Sequence, residues 1–180
     1  MNARKQMPPG RVLRKTLLIV GEGDAEEAFL KHLKALFVGR TGGIEVKVGN
    51  ARGKGARNVI NHARKQWASI AYDQVAVLLD TDTDWSPEVE KLARDAGIVV
   101  LACTPCLETE LLILAGKPGP ERTPEAKRSF HKAFNTDAHR PALYPDAFPL
   151  ALLKEHMAAR PGGGFTTIRA RNLCRRGEGA

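Results

Sequence analysis

Residues 75–84 read VAVLLDTDTD, and this stretch indicates the fold of the chain. The five apolar residues Val75–Leu79 have the length of a strand and show no polar alternation. That pattern is typical of a central parallel strand covered on both faces. Ser86 and Pro87 follow and predict a helix start, since proline is favoured at the first helical position. A buried parallel strand needs neighbouring strands joined to it by crossover connections.

Such neighbours are predicted on both sides of it. Strand patterns occur at Lys15–Val20, Ile44–Val48 and Ile98–Ala102, and the alternation in Ile44–Val48 suits an edge or half-buried strand. Helical spacing of apolar residues predicts one helix from Asp24 to Phe37 and a second that includes Val59–Trp67. Four strands alternating with helices predict an α/β fold with a mainly parallel four-stranded sheet flanked by helices.

The chain divides into three predicted regions. Residues 1–14 form a loose basic arm, 15–115 an α/β core, and 116–180 a helical extension packed on that core. Helical patches in the second half of the chain are predicted at Leu107–Leu114, Pro124–Phe134, Pro149–Ala159 and Thr167–Arg175.

The composition narrows the class of protein. Lys and Arg number 28 against 20 Asp and Glu, a net charge of +8 that favours polyanionic partners or serves solubility. No apolar run reaches the roughly 18 residues of a membrane span, and Pro8-Pro9-Gly10 interrupts the region where a signal peptide needs an apolar stretch. Three cysteines do not suggest a disulfide framework. We expect a cytoplasmic protein with no membrane partner.

Carboxylates follow three of the predicted strands. They are Glu22 after the first, Asp80, Asp82 and Asp84 after the third, and Glu108 and Glu110 after the fourth. Ligands of open parallel sheets bind beyond the carboxyl ends of the strands, so these side chains are expected to converge there. Such a cluster repels itself unless protons or cations intervene, and oxygen-only ligands favour Mg²⁺ or Mn²⁺.

Other acidic residues near these strand ends have structural interpretations. Asp24 and Glu27 fit a capping box at the start of the first helix, with Asp24 as the N-cap. Asp84 either caps the turn into Pro87 or takes part in the cluster, and the role of Glu110 is equally open.

The order of these motifs resembles the TOPRIM domain of topoisomerases, primases and OLD-type nucleases. The first part of its signature is an apolar strand followed by Glu-Gly and a helix, which matches LLIVGEG at 17–23. The second part is a later apolar strand that ends in Asp-x-Asp, which matches VLLDTD at 77–82. Glu26 completes the Glu-Gly-x-x-Glu variant of OLD-like and RloB-like members. Residues 105–114, PCLETELLIL, resemble the Asn-Pro-Cys-Phe-Glu-x-Trp-Leu-Leu-Leu-His motif of RloB-like proteins. The departures from that motif are Thr104, Leu107, Glu110 and Gly116.

The resemblance implies a Rossmann-like TOPRIM fold and a divalent-metal-dependent nuclease with two Mg²⁺ or Mn²⁺ ions. Carried over residue by residue, Glu22, Asp80 and Asp82 hold one ion and carry catalysis, while Glu26 and Glu108 help to hold the second. Two such ions activate water and stabilise the leaving oxygen. The family's association with restriction and phage-defence loci implies a defence role, and leaves open a partner protein encoded in the same locus.

Basic residues are candidates for nucleic-acid contact. The loop Arg52-Gly53-Lys54-Gly55-Ala56-Arg57 precedes a predicted helix start, where backbone amides bind phosphate, although a solvated turn is equally open. Arg169 and Arg171 belong to a basic helix end that either follows a nucleic-acid strand or is solvated. Cys103 and Cys106 are interpreted as buried small apolar residues at a strand end.

Two other functions stay open at this point. One is a haloacid-dehalogenase-type phosphatase with Asp80 as nucleophile, although its motif would stand on the third strand and leave Glu22 without a role. The other is a catalytically silent nucleic-acid-binding module. The sequence leaves open DNA or RNA as substrate, internal or terminal cleavage, the activating trigger and the oligomeric state.

Overall fold

The computed structural model of the protein describes residues 14–39, 43–159 and 166–168. Its first half contains β1 (Lys15–Gly21), α1 (Asp24–Phe37), β2 (Ile44–Asn50), α2 (Gly55–Ser69), β3 (Gln74–Asp80), α3 (Pro87–Asp95), β4 (Val99–Cys103) and α4 (Leu107–Leu114). The rest contains α5 (Thr123–Phe134), a 3₁₀ helix (Pro141–Leu143), α6 (Tyr144–Ala147), α7 (Leu150–Ala159) and β5 (Thr166–Ile168). The predicted α/β fold, with a mainly parallel sheet flanked by helices, is confirmed.

The sheet has the strand order β2-β1-β3-β4-β5, in which β1 to β4 are parallel to one another and β5 is antiparallel to β4. From β1 the chain crosses by α1 to β2 on one side, and then by α2 to β3 on the other. The two crossovers cover opposite faces of the sheet, because α1 and α2 pack into separate apolar clusters. The strand order therefore reverses between β1 and β3, and a crevice opens at the carboxyl ends of these two strands.

Each face of the sheet carries its own buried core. Along β3, Val75, Val77 and Leu79 pack with α2 and α3, whereas Ala76 and Leu78 pack with α1 and α4. All five of these residues are buried, which explains the uninterrupted apolar run in the sequence. The predicted central position of this strand and the predicted edge position of β2 are both confirmed.

The helices after α4 pack on the α1 face of the sheet. Tyr144 is fully buried, lies 5.7 Å from the ring of Phe29, and donates a 2.6 Å hydrogen bond to the carbonyl of Ala138. Phe130 and Phe148 belong to the same apolar cluster. This packing holds α5 beside the carboxyl end of the sheet. None of the described helices has the length and hydropathy needed to cross a membrane.

Three local predictions are wrong: a helical patch, the position of a capping box, and the role of Asp84. Thr166–Ile168, which overlap the predicted helical patch Thr167–Arg175, form a strand antiparallel to β4, as suits three β-branched residues. Residues 169–175 of that patch and 1–13 of the basic arm lie outside the described residues. The capping box is also displaced: Gly23 is the N-cap of α1, and Glu26 rather than Glu27 accepts its amide hydrogen at 2.8 Å. Asp24 already lies within the first turn of the helix.

The loop before α2 is locked by Asp84. Arg52, Gly53, Lys54 and Gly55 all have positive φ, between 64° and 80°, a rare run for a chain with two non-glycine residues in it. Asp84 Oδ1 accepts the amide hydrogen of Ala56 at 2.7 Å, and so caps α2. The interpretation of Asp84 as the cap of the turn into Pro87 is wrong, because Ser86 Oγ caps α3 through the amide of Val89.

Replacing Gly55 by alanine should destabilise the protein more than replacing Gly53. Both glycines have positive φ, 74° and 80°, but a Cβ on Gly55 would lie 2.5 Å from Asp84 Oδ2, whereas one on Gly53 meets nothing within 4 Å. Gly53→Ala therefore costs the strain of the left-handed backbone alone, about 1 kcal/mol. Gly55→Ala should cost at least about 2 kcal/mol in free energy of unfolding by urea titration. Equal losses for the two variants would contradict the close contact with Asp84.

Candidate active site

A cavity of about 540 Å³ lies at the carboxyl ends of β1 and β3. Four of the carboxylates predicted from the sequence line it: Glu22, Glu26, Asp80 and Glu108. They come from the end of β1, the first turn of α1, the end of β3 and the first turn of α4, respectively. The sheet topology therefore brings together side chains that are up to 86 residues apart in the sequence, from position 22 to position 108.

Asp80 stands at the centre of this group. Its Oδ1 accepts the amide hydrogen of Leu107 at 2.9 Å, so the first amide of α4 fixes the orientation of the carboxyl group. Burial and the charges of Glu26, Glu108 and Glu22 raise the pKa of Asp80 to about 8, and the Leu107 amide only partly offsets this. Without a cation or another positive group close by, the ionised form of Asp80 is unfavourable at neutral pH.

Glu22 is tied to the end of β3. Its Oε2 accepts the amide hydrogen of Asp80 at 3.2 Å, and the backbone of Gly55 at the start of α2 also stabilises the carboxylate. Burial is the largest influence on the pKa of Glu22, and with the charges of Asp84 and Asp82 it holds that pKa above the ordinary value. Glu22 thus lies between the start of α2 and the Asp-x-Asp segment.

Glu26 is almost completely buried, with 6% of its surface exposed. Besides accepting the Gly23 amide, it packs against Gly21 so closely that a Cβ on that glycine would lie 2.7 Å from the Cβ of Glu26. Burial, followed by the charges of Glu22 and Glu108, raises the pKa of Glu26 despite the amide hydrogen bonds. The glycine at the end of β1 therefore allows a buried carboxylate to approach the strand end.

Asp82 differs from the other predicted metal ligands. It is exposed and is not among the residues that line the cavity. Its Oδ2 accepts a 2.6 Å hydrogen bond from Thr123 Oγ1 at the start of α5, and its Oδ1 accepts one from Thr83. Asp84 and Glu110 also lie outside the cavity lining, and Asp84 is engaged with α2.

The donor set contains oxygen only. Cys103 and Cys106 are buried, as predicted, and burial raises the pKa of the Cys106 thiol to about 11, so it is not a thiolate at neutral pH. The carboxylate oxygens of Glu22, Glu26, Asp80 and Glu108 suit a hard cation such as Mg²⁺ or Mn²⁺. As placed, no three His, Cys, Asp or Glu side chains of the described ranges stand in a metal-holding arrangement.

Several cavity residues were not predicted from the sequence. Lys127 on α5, Asp137 and His139 line the cavity, and nothing in their local sequence marks them. Asn50 at the end of β2 is outside the cavity lining, but its Nδ2 donates hydrogen bonds to the lining residue Asp24 at 2.8 Å and to Glu27 at 2.9 Å. Its role was accessible in principle, since β2 ends at the same edge of the sheet as β1.

The basic residues of the predicted nucleic-acid surface lie beside the cavity. Arg52, Lys54 and Arg57 are exposed, and Gly53 between the first two lines the cavity. The amide of Ala56 at the start of α2 is bound by Asp84, so phosphate contact through that amide is not available in this arrangement. Arg169 and Arg171 lie outside the described residues.

Comparisons with other proteins leave the family open. No family model, no curated protein and no solved structure matches the chain. The resemblance to TOPRIM nucleases therefore stays a prediction that rests on the sequence motifs.

Asp80→Asn should stabilise the metal-free protein. The folded-state pKa near 8 exceeds the unfolded value of about 3.9, so ionising Asp80 disfavours the folded state increasingly as the pH rises between these values. Asparagine keeps an oxygen for the Leu107 amide and removes the charge. In EDTA, the variant should gain about 2–4 kcal/mol in free energy of unfolding at pH 8, and the gain should shrink toward pH 4.

The control for this measurement is Asp146→Asn, which removes the charge of an exposed carboxylate on α6. It separates the effect of the cavity from that of one less negative charge on the chain. An Asp80→Asn protein no more stable than the parent at pH 8 would contradict the electrostatic strain assigned to this group.

Proposed function

We propose that this protein is a divalent-metal-dependent nuclease that cleaves phosphodiester bonds of DNA or RNA. The observation that carries the proposal is the convergence of Glu22, Glu26, Asp80 and Glu108 on one cavity at the reversal of strand order. Carboxylates collected in this way are unfavourable for stability, so a role in binding cations explains their presence better than a role in folding. The net charge of +8 suits a polyanionic substrate.

Two ions are proposed, in line with the resemblance to TOPRIM proteins. Glu22, Asp80 and Asp82 would hold the first, and Glu26 and Glu108 would help to hold the second. Bound Mg²⁺ or Mn²⁺ supplies Lewis acidity that makes water acidic near neutral pH and neutralises charge on the phosphate. For Asp82 to join this set, its hydrogen bond with Thr123 has to open or share the carboxylate.

Backbone amides orient the carboxylates of the cavity, and one of these carboxylates is a candidate base. The amide of Leu107 holds Asp80 Oδ1, and the amide of Asp80 holds Glu22 Oε2, so backbone amides orient both carboxyl groups. In this proposal Glu22 either ligates the first ion or accepts the proton from the attacking water.

The biological setting follows from the resemblance alone. A small stand-alone nuclease of the RloB-like kind would act in the cytoplasm, in restriction or phage defence.

The phosphatase alternative uses Asp80 as a nucleophile and leaves Glu22 without a task, whereas the silent module needs no cation. Cleavage assays with Mg²⁺, Mn²⁺ or EDTA on DNA, tRNA and total RNA separate the nuclease from the silent module. A phosphoaspartate trapped at Asp80 would establish the phosphatase.

Glu22→Gln should lower the turnover number by at least roughly 10²-fold while the protein stays folded. Glutamine keeps the size of the side chain and its acceptor for the Asp80 amide, but it cannot take a proton. Substrate binding should survive or improve, because one carboxylate that repels phosphate is gone. The measurements are single-turnover cleavage with Mn²⁺ and substrate binding with Ca²⁺.

Glu45→Gln provides the matched control, since it removes the same charge from an exposed position on β2. Near-normal turnover by a folded Glu22→Gln protein would remove Glu22 from catalysis and favour the phosphatase. If the parent protein cleaves none of the nucleic acids with either metal, the nuclease proposal is contradicted and the silent nucleic-acid-binding module is favoured.

Replacing Lys54 and Arg57 together by alanine should weaken nucleic-acid binding equally for all sequences. Both side chains are exposed beside the cavity and would contact the phosphate backbone, which carries no sequence information. The slope of log affinity against log salt concentration should fall by about one for each phosphate that the variant no longer neutralises. Arg64→Ala with Lys65→Ala is the control, because these exposed residues lie farther along α2. An unchanged slope would reduce the loop to a solvated turn.

A further inference from the structure

Helix α5 contributes Lys127 and Phe130 to the lining of the cavity. Thr123 in its first turn is bound to Asp82, and Ala126 and Phe130 are buried beneath it. Lys127 lies between these two buried positions in the sequence and lines the cavity. The helix is thus fixed at its start and along its buried side. This packing places Lys127 in the cavity that the carboxylates line.

Lys127 does not neutralise the carboxylates by direct pairing. Within the described parts of the chain, its ammonium group forms no ion pair at 4.0 Å or less, whereas the exposed Lys31 and Lys91 both pair with carboxylates at 2.8 Å. Burial lowers the pKa of Lys127, but the charges of Glu108 and Asp80 outweigh it and hold that pKa above the ordinary value. The lysine is therefore a full positive charge that lines the same cavity as the carboxylates and is not ion-paired with them.

An ammonium group that lines the same cavity as several carboxylates without pairing with them suits an anion that is held with cations. A phosphate group bound through metal ions on the carboxylate side would present its other oxygens toward α5. A lysine there provides a compact positive charge for those oxygens, without the fixed two-pronged geometry of arginine. A salt bridge already formed with Glu108 would have to break before it could act in this way.

We infer that Lys127 is a catalytic residue that binds an oxygen of the phosphate under attack, in the cavity that the carboxylates line. This inference rests on the proposed nuclease function and names a substrate contact of the same site. Charge builds on the phosphate and on the leaving oxygen during displacement, so an ammonium group placed there stabilises the transition state more than the ground state. Lys127 therefore contributes mainly to the turnover number and less to binding.

The experiment compares Lys127→Ala with Lys132→Ala on the same helix, an exposed lysine that does not line the cavity. With Mn²⁺ and a single-stranded oligonucleotide, Lys127→Ala should lower the turnover number by roughly 10²-fold and change KM by less than about threefold. Lys132→Ala should change neither. Methylammonium added to the buffer should restore part of the activity of Lys127→Ala only.

A second readout does not depend on cleavage. The rise in melting temperature on adding Mg²⁺ alone should be kept or enlarged in Lys127→Ala, because a competing positive charge has gone. The further rise on adding inorganic phosphate with Mg²⁺ should be lost in Lys127→Ala and kept in Lys132→Ala. Loss of the Mg²⁺ response itself would instead assign Lys127 a structural role in the carboxylate group and overturn the inference.

The outcomes separate the inference from the proposed function. Normal turnover and normal phosphate response in Lys127→Ala overturn the inference and leave the nuclease intact. A parent protein that cleaves no nucleic acid overturns the nuclease. In that case Lys127 remains a phosphate-binding residue only if the phosphate-dependent rise in melting temperature disappears in Lys127→Ala.

Discussion

Repulsion among carboxylates that share one partly buried cavity is the constraint on which the rest of this edge of the molecule depends. Burial and three neighbouring carboxylates hold the pKa of Asp80 near 8, far above that of a solvated aspartate. Hydrogen bonds from backbone amides partly offset this repulsion. The amide of Leu107 donates to Asp80, that of Asp80 donates to Glu22, and that of Gly23 donates to Glu26. Each amide fixes an orientation but adds no full positive charge, so the cavity keeps a negative surplus.

The topology explains why these amides are in reach. Parallel strands all end at the same edge of the sheet, and the helices that follow begin there with unpaired amide hydrogens. At the reversal between β1 and β3, the starts of α1 and α4 line the same cavity, together with Gly53 of the loop before α2. A parallel sheet covered on both faces thus brings the carboxylates together at one edge. It also places backbone amides there, and these partly stabilise the ionised carboxylates.

Much of this arrangement was predictable from the sequence, and the failures have physical causes. Strand ends are predictable because apolar runs and glycines mark them, so Glu22 and Asp80 were correctly expected at one edge. The partner of Asp84 was not predictable, because the helix that it caps is 28 residues away in sequence and adjacent only through the sheet order. Lys127 reaches the cavity through the packing of α5, which depends on buried Ala126 and Phe130. The strand Thr166–Ile168 arises from pairing with β4, a tertiary contact that outweighs the local helical pattern.

On the proposed function, the negative cavity in a positively charged chain links cation binding to substrate binding. Without cations, the carboxylates repel phosphate at the place where the reaction would occur, while Arg52 and Lys54 attract it a short distance away. Within the described residues, neither Arg52 nor Lys54 forms an ion pair with a carboxylate of the cavity, so the basic loop does not neutralise the cavity by direct pairing. Phosphate therefore enters the carboxylate group favourably only together with cations, and each ligand must strengthen the binding of the other by the same factor. Asp84 accepts the amide hydrogen of Ala56, so that amide is not available to phosphate. The basic loop can therefore attract phosphate only through its side chains.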